Sequence, residues 1–143
     1  MTTRTATCAC GQLRVTCTGE PVRISMCHCL DCQKRTGSTY GAQARWPDAN
    51  VKIAGVSKIF RRTGDDGGKI EMCFCPECGS TVFWTIDTMP GVTAVAMGAF
   101  ADPTFPAPHV SVYGNRKHAW VSVPAGAELM RSEERRVGKE CRL

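Results

Sequence analysis

Phe74-Cys75-Pro76-Glu77-Cys78-Gly79-Ser80 is the stretch that decides the fold. A Cys-x-x-Cys turn presents two sulfurs at the separation a tetrahedral zinc ion needs, and the glycine after it lets backbone amides approach them. The turn is half a site. A second pair stands near the start, Cys8-Ala9-Cys10-Gly11, where the two-residue strand period puts both sulfurs on one face. Together Cys8, Cys10, Cys75 and Cys78 make a closed four-thiolate site that ties the N-terminal strand to the middle of the chain. A closed site stabilises a fold and leaves no position for substrate. Buried free thiols or a redox couple are the competing reading of these pairs.

A third group, Cys27-His28-Cys29-Leu30-Asp31-Cys32, offers three thiolates within six residues and no fourth ligand nearby. Three protein ligands and one open position is the pattern of catalytic zinc, against the plainer alternative of a second structural site. Three thiolates on zinc leave a net charge of about −1, which makes the metal a feeble Lewis acid. Capturing and deprotonating a thiol therefore suits it better than making hydroxide from water. Cys73 should point the same way as Cys75, two residues on, and is a candidate for the missing fourth position. Lying between two ligands, His28 is expected to pack or to make a supporting hydrogen bond rather than to bind metal. Cys17 and Cys141 carry no motif.

These three groups hold seven of ten cysteines in a chain of 143 residues, a length that fits one domain. The opening Met1-Thr-Thr-Arg-Thr-Ala-Thr has no apolar secretory core and no stretch approaches the length of a membrane helix, so a cytoplasmic location with no membrane contact is expected. A reducing compartment favours thiolates over disulfides. Lys and Arg exceed Asp and Glu by 18 to 13, and without residues 131–143 the excess is three. That is too mild for nucleic acid but suits a small anionic substrate.

Elsewhere the apolar pattern alternates in short runs, as in Leu13-Arg14-Val15, Val22-Arg23-Ile24, Val51-Lys52-Ile53 and Val110-Ser111-Val112-Tyr113, the period of half-buried strands. Asp65-Asp66-Gly67-Gly68 between Lys58–Thr63 and Lys69–Phe74 signals a hairpin. Only Leu30 to Arg35 looks helical. The pattern predicts an all-β domain of small antiparallel sheets over residues 4–124. A charge-dense tail over 125–143 is expected to be a short exposed helix, disordered, or foreign to the working domain. Trp84, Trp120, Phe83 and Phe100 are expected in the core. Six cations, Lys34, Arg35, Arg61, Arg62, Arg116 and Lys117, are candidates for binding substrate carboxylates, and Lys34 and Arg35 lead because they follow Cys32 so closely.

Cys-x-Cys-Gly, then Cys-His-Cys-x-x-Cys, then Phe-Cys-x-x-Cys-Gly-Ser with a following Phe-Trp resembles the glutathione-dependent formaldehyde-activating enzyme family, which shares its domain with centromere protein V. The likeness runs from about Thr7 to Pro124 and includes Gly-Ala-Phe-Ala-Asp-Pro, His-Val-Ser-Val-Tyr and Trp120. It implies an Mss-four-like fold with zinc knuckles and two zinc ions per chain. One would be structural on Cys8, Cys10, Cys75 and Cys78, and one catalytic on Cys27, Cys29 and Cys32. The implied activity is that of a carbon–sulfur lyase, adding glutathione to formaldehyde to give S-hydroxymethylglutathione. A non-enzymatic zinc scaffold for a protein partner is the alternative, and a related enzyme acting on another thiol or aldehyde is a third reading.

Overall fold

A computed structural model describes residues 1–131. The tail expectation for residues 132–143, and Cys141, lie outside the described residues.

The alternating runs form strands: β1 (Thr3–Thr7), β2 (Arg14–Thr18), β3 (Arg23–Cys27), β4 (Gly41–Pro47), β5 (Val51–Ala54), β6 (Lys58–Thr63), β7 (Lys69–Phe74), β8 (Thr81–Ile86), β9 (Val92–Ala96), β10 (Val110–Val112) and β11 (Glu128–Met130), and the described residues include one α-helix, α1 (Leu30–Thr36). A small antiparallel sheet has the order β1-β2-β5, and a larger one the order β11-β10-β3-β4-β9-β8-β7-β6. The hairpin between β6 and β7 falls where the Asp-Asp-Gly-Gly signal put it, with Gly67 at φ 88° supplying the left-handed turn residue. No helix among the described residues is long and apolar enough to cross a membrane.

The expected all-β fold of small sheets forms, and one edge of the large sheet adds two features that local sequence does not announce. β10 pairs parallel with β3, Val110 opposite Ser25 and Val112 opposite Cys27, and parallel with β11, so the sheet is not wholly antiparallel. A parallel neighbour needs a long crossover rather than a tight turn, and here the chain between β3 and β10 runs through most of the molecule, so no local signal announces it. Beyond residue 124, Glu128–Met130 adds a strand to this edge, and its Met130 is fully buried. Three residues are too few for alternation to register.

Phe83 belongs to a core cluster with Leu13, Val15, Ile24, Trp46 and Val95, which joins the two sheets. Trp84, its neighbour in β8, belongs to a second cluster with Ile70, Met72, Ile86 and Met89. Successive side chains thus feed opposite faces of one strand, as the two-residue period requires. Phe100 packs against the first cluster, partly buried. Trp120 departs from expectation, for it is 74% exposed with the His118 ring edge-on at 6.0 Å. It stands on a loop outside either sheet.

Candidate functional site

The four-thiol cluster assembles where the sequence places it. Cys8 and Cys10 follow β1, Cys75 and Cys78 form the turn from β7 to β8, and the four sulfurs lie within 4.8 Å of one another. Sulfurs about 2.3 Å from a tetrahedral zinc ion stand about 3.8 Å apart. Cys8 Sγ and Cys10 Sγ are 3.6 Å apart, and Cys10 Sγ and Cys75 Sγ are 3.7 Å apart, so the donor set fits the ion. Amides complete it: Leu13 N–H donates to Cys8 Sγ at 3.3 Å, Glu77 N–H to Cys75 Sγ at 3.4 Å, and the Gln12 side-chain amide to Cys75 Sγ at 3.0 Å. Hydrogen bonding to Ser80, through its hydroxyl first and its backbone second, holds the Cys78 thiol down to about 5.

The three-thiol cluster is built by the end of β3 and the first turn of α1. Cys27 ends the strand, Cys29 is the helix N-cap, and Cys32 lies in the first turn, its amide donating to Cys29 Sγ at 3.3 Å. All three are buried, and their sulfurs also lie within 4.8 Å of one another. Hydrogen bonds from the Cys27 and Cys32 thiols, with help from the Cys32 amide and Arg62, pull the Cys29 thiol down to about 2 despite burial. Three soft donors converging in this way fit zinc with a position left over, and among the described residues no fourth Cys, His, Asp or Glu joins them. Cys73 does not close the set. It packs against the core cluster that holds Cys8 and Cys75, beside the other site. His28 stays out as well, fully buried with Nε2 3.1 Å from Ser111 Oγ.

A cavity of about 30 Å³ adjoins the three thiols. Its walls include Trp84, Met72, Ile70 and Tyr113, with Arg45 and Arg62 as cations and the Gly64–Asp66 tip of the β6–β7 hairpin over it. Arg62 and Met72 are shared with an outer groove of about 410 Å³, also lined by Asp31, Lys34, Arg35, Phe60, Thr63 and Thr81.

The six candidate cations separate. Lys34 is exposed and lines the groove. Arg35 also borders it, yet its guanidinium turns inward, 4.5 Å over the Trp84 ring, with Nε and Nη2 buried and lacking a hydrogen-bond partner of normal geometry. Burial disfavours its charge, and the Cys32 sulfur it faces favours it. A Cβ on Gly41 would sit 2.5 Å from Arg35 Nη2, so that glycine makes room for the cation. Helical geometry explains the split, since adjacent residues on α1 point about 100° apart. Arg62 bridges cavity and groove while pairing with Asp31 at 3.3 Å. Arg61 pairs with Glu71 across the hairpin and Arg116 with Asp65, while Lys117 donates to Val121 O at 2.8 Å. Gln43, Arg45 and Tyr113 line the cavity without having been marked by sequence. They arrive from β4 and from beyond β10, far from any cysteine motif.

A crystal structure of a Rhodobacter sphaeroides protein has a similar fold, with a TM-score of 0.53 and 16% identity, over 71% of this chain and 90% of that one. No curated protein sequence matches the chain. The family model described as glutathione-dependent formaldehyde-activating enzyme matches residues 3–116. That span opens on β1, closes on the turn after β10 and contains every cysteine of both clusters, so the chain belongs to the glutathione-dependent formaldehyde-activating enzyme family.

Proposed function

We propose that the protein is a zinc-dependent carbon–sulfur lyase that joins a thiol, glutathione before others, to formaldehyde or a related small aldehyde, giving S-hydroxymethylglutathione. One observation carries this reading: three buried thiols, for which the described residues supply no fourth ligand, adjoin a small cavity that shares residues with a cation-lined groove. Cys27, Cys29 and Cys32 would hold the catalytic zinc, and Cys8, Cys10, Cys75 and Cys78 the structural one. When bound, the catalytic zinc supplies the means to strip the proton from an incoming thiol while leaving its sulfur nucleophilic.

The chain's own residues divide the remaining work by size and charge. A cavity of about 30 Å³ admits a one-carbon aldehyde but not a tripeptide. The groove, about 410 Å³, falls in the range of small-molecule sites. Lys34 at its rim and Arg62 at its inner end would draw the glutathione carboxylates, leaving the thiol aimed at the cavity. Arg35, which sequence grouped with Lys34, instead offsets the negative charge of the thiolates through Cys32.

The test is calorimetric titration of the zinc-loaded protein with glutathione at two pH values, paired with NMR detection of the formaldehyde adduct. Binding should tighten as pH rises toward the ordinary thiol pKa of about 8.5, and weaken with salt. A zinc scaffold predicts neither effect, nor adduct formation faster than in protein-free buffer.

A further inference from the structure

We infer that Tyr113 is a catalytic residue whose hydroxyl donates a hydrogen bond to the aldehyde oxygen as the thiol adds, a role that rests on the thiol-addition reading above. The side chain is buried in one cluster with Cys27, Cys29 and Cys32 and lines the same cavity. Its backbone is in the left-handed region, φ 58° and ψ 41°, which a bulky aromatic residue rarely adopts. Gly114 follows immediately, so a residue free of that strain stands one position away from where the chain turns. Strain held at a cavity wall, by a side chain that faces reactive groups, is a mark of a functional position.

The surroundings hold the ring in place. Tyr113 N–H donates to Met130 O at 3.1 Å, and Arg116 N–H to Tyr113 O at 3.0 Å. The Arg116 guanidinium lies 5.7 Å from the ring centroid and is itself tied to Asp65 in the hairpin over the cavity. The Gln33 side chain donates to Arg116 O at 3.1 Å, linking this turn to the helix that carries Cys29 and Cys32. Competing donors in the cavity wall are engaged: Gln43 and Arg45 both donate to Ser25 Oγ, at 2.9 and 3.2 Å, and Arg62 to Asp31.

The chemistry needs such a donor. The thiol loses its proton to solvent, its sulfur forms the C–S bond, and the carbonyl π pair moves onto oxygen. That oxygen then takes one proton from water, so thiol and aldehyde give the hydroxymethyl thioether with no oxidation or reduction. Charge grows on the oxygen only in the transition state, where a fixed donor in a water-poor cavity acts most strongly. The phenol donates throughout and is not consumed.

Tyr113→Phe removes the hydroxyl and keeps the ring. Adduct formation, followed by exchange NMR against protein-free buffer, should fall about 100-fold in kcat with KM for glutathione unchanged. Zinc content and melting temperature should stay at wild-type values. A second readout uses wild type alone, since the chain has only two tyrosines. With ¹³Cζ-labelled tyrosine the Tyr113 line should shift when glutathione and formaldehyde are both present, but not with glutathione alone, while Tyr40 serves as the control. A variant within twofold of wild type, or an unmoved Tyr113 line in an active protein, overturns the assignment alone. Wild type that makes no adduct overturns the thiol-addition reading and this assignment with it.

Discussion

The two thiol clusters contrast in depth and in what they connect. Cys10 and Cys78 of the four-thiol set are exposed, whereas Cys27, Cys29 and Cys32 are all buried. Depth therefore runs opposite to the proposed roles, the proposed structural set being the more exposed. The four-thiol set joins the end of β1, in the small sheet, to the β7–β8 turn of the large sheet, so filling it fastens one sheet to the other. The three-thiol set draws its ligands from the end of one strand and the helix turn after it, a local arrangement that fastens no second sheet. Its proposed chemistry rests on an adjoining cavity and on a fourth position that no described residue fills.

The contrast breaks first at Cys75. Cys75→Ser should lose the structural zinc and with it about 5 kcal/mol or more, enough to unfold an ordinary domain, because metal binding and folding are one equilibrium in such sites. Circular dichroism and metal analysis would read the loss. Cys29→Ser should leave a cooperatively folded protein with one zinc per chain and no adduct formation. Equal loss of fold in both variants would erase the division of roles.

Smaller changes sharpen the comparison. Lys34→Glu should weaken glutathione binding about fivefold, equivalent to about 1 kcal/mol, without altering zinc content or stability, since the residue is exposed at the groove rim. Calorimetry at two salt concentrations checks it, and the salt dependence should shrink in the variant. The smallest effect belongs to Cys73→Ala, with a packing loss below about 1 kcal/mol, two zinc ions retained and unchanged affinity for glutathione. New affinity in that variant would mean that Cys73 closes the second site.

Local chemistry made much of this legible. The helix expected at Leu30 to Arg35 forms as Leu30–Thr36, because Cys29 caps its start and Gly37, at φ 69°, ends it. Both hairpin strands keep their expected bounds, since Asp-Asp-Gly-Gly defines the turn and the apolar alternation defines the arms. Each thiol cluster gathers the residues its spacing suggested. What sequence hid is long-range. The parallel pairing of β10 and the strand at Glu128–Met130 depend on a crossover with no turn signature. The inward turn of Arg35 depends on Trp84 from another strand and on the space left by Gly41. Trp120 shows the reverse error, for a large aromatic residue was expected inside and stands in the open.

Replacing zinc with cobalt and titrating with glutathione distinguishes one closed and one open thiolate site from two closed ones. Cobalt absorption reports on ligand exchange at each site. Two cobalt ions per chain are expected, with a glutathione-dependent change in the spectrum of one and loss of that change in Cys29→Ser. Two cobalt ions whose spectra both ignore glutathione would mean that both sites are closed.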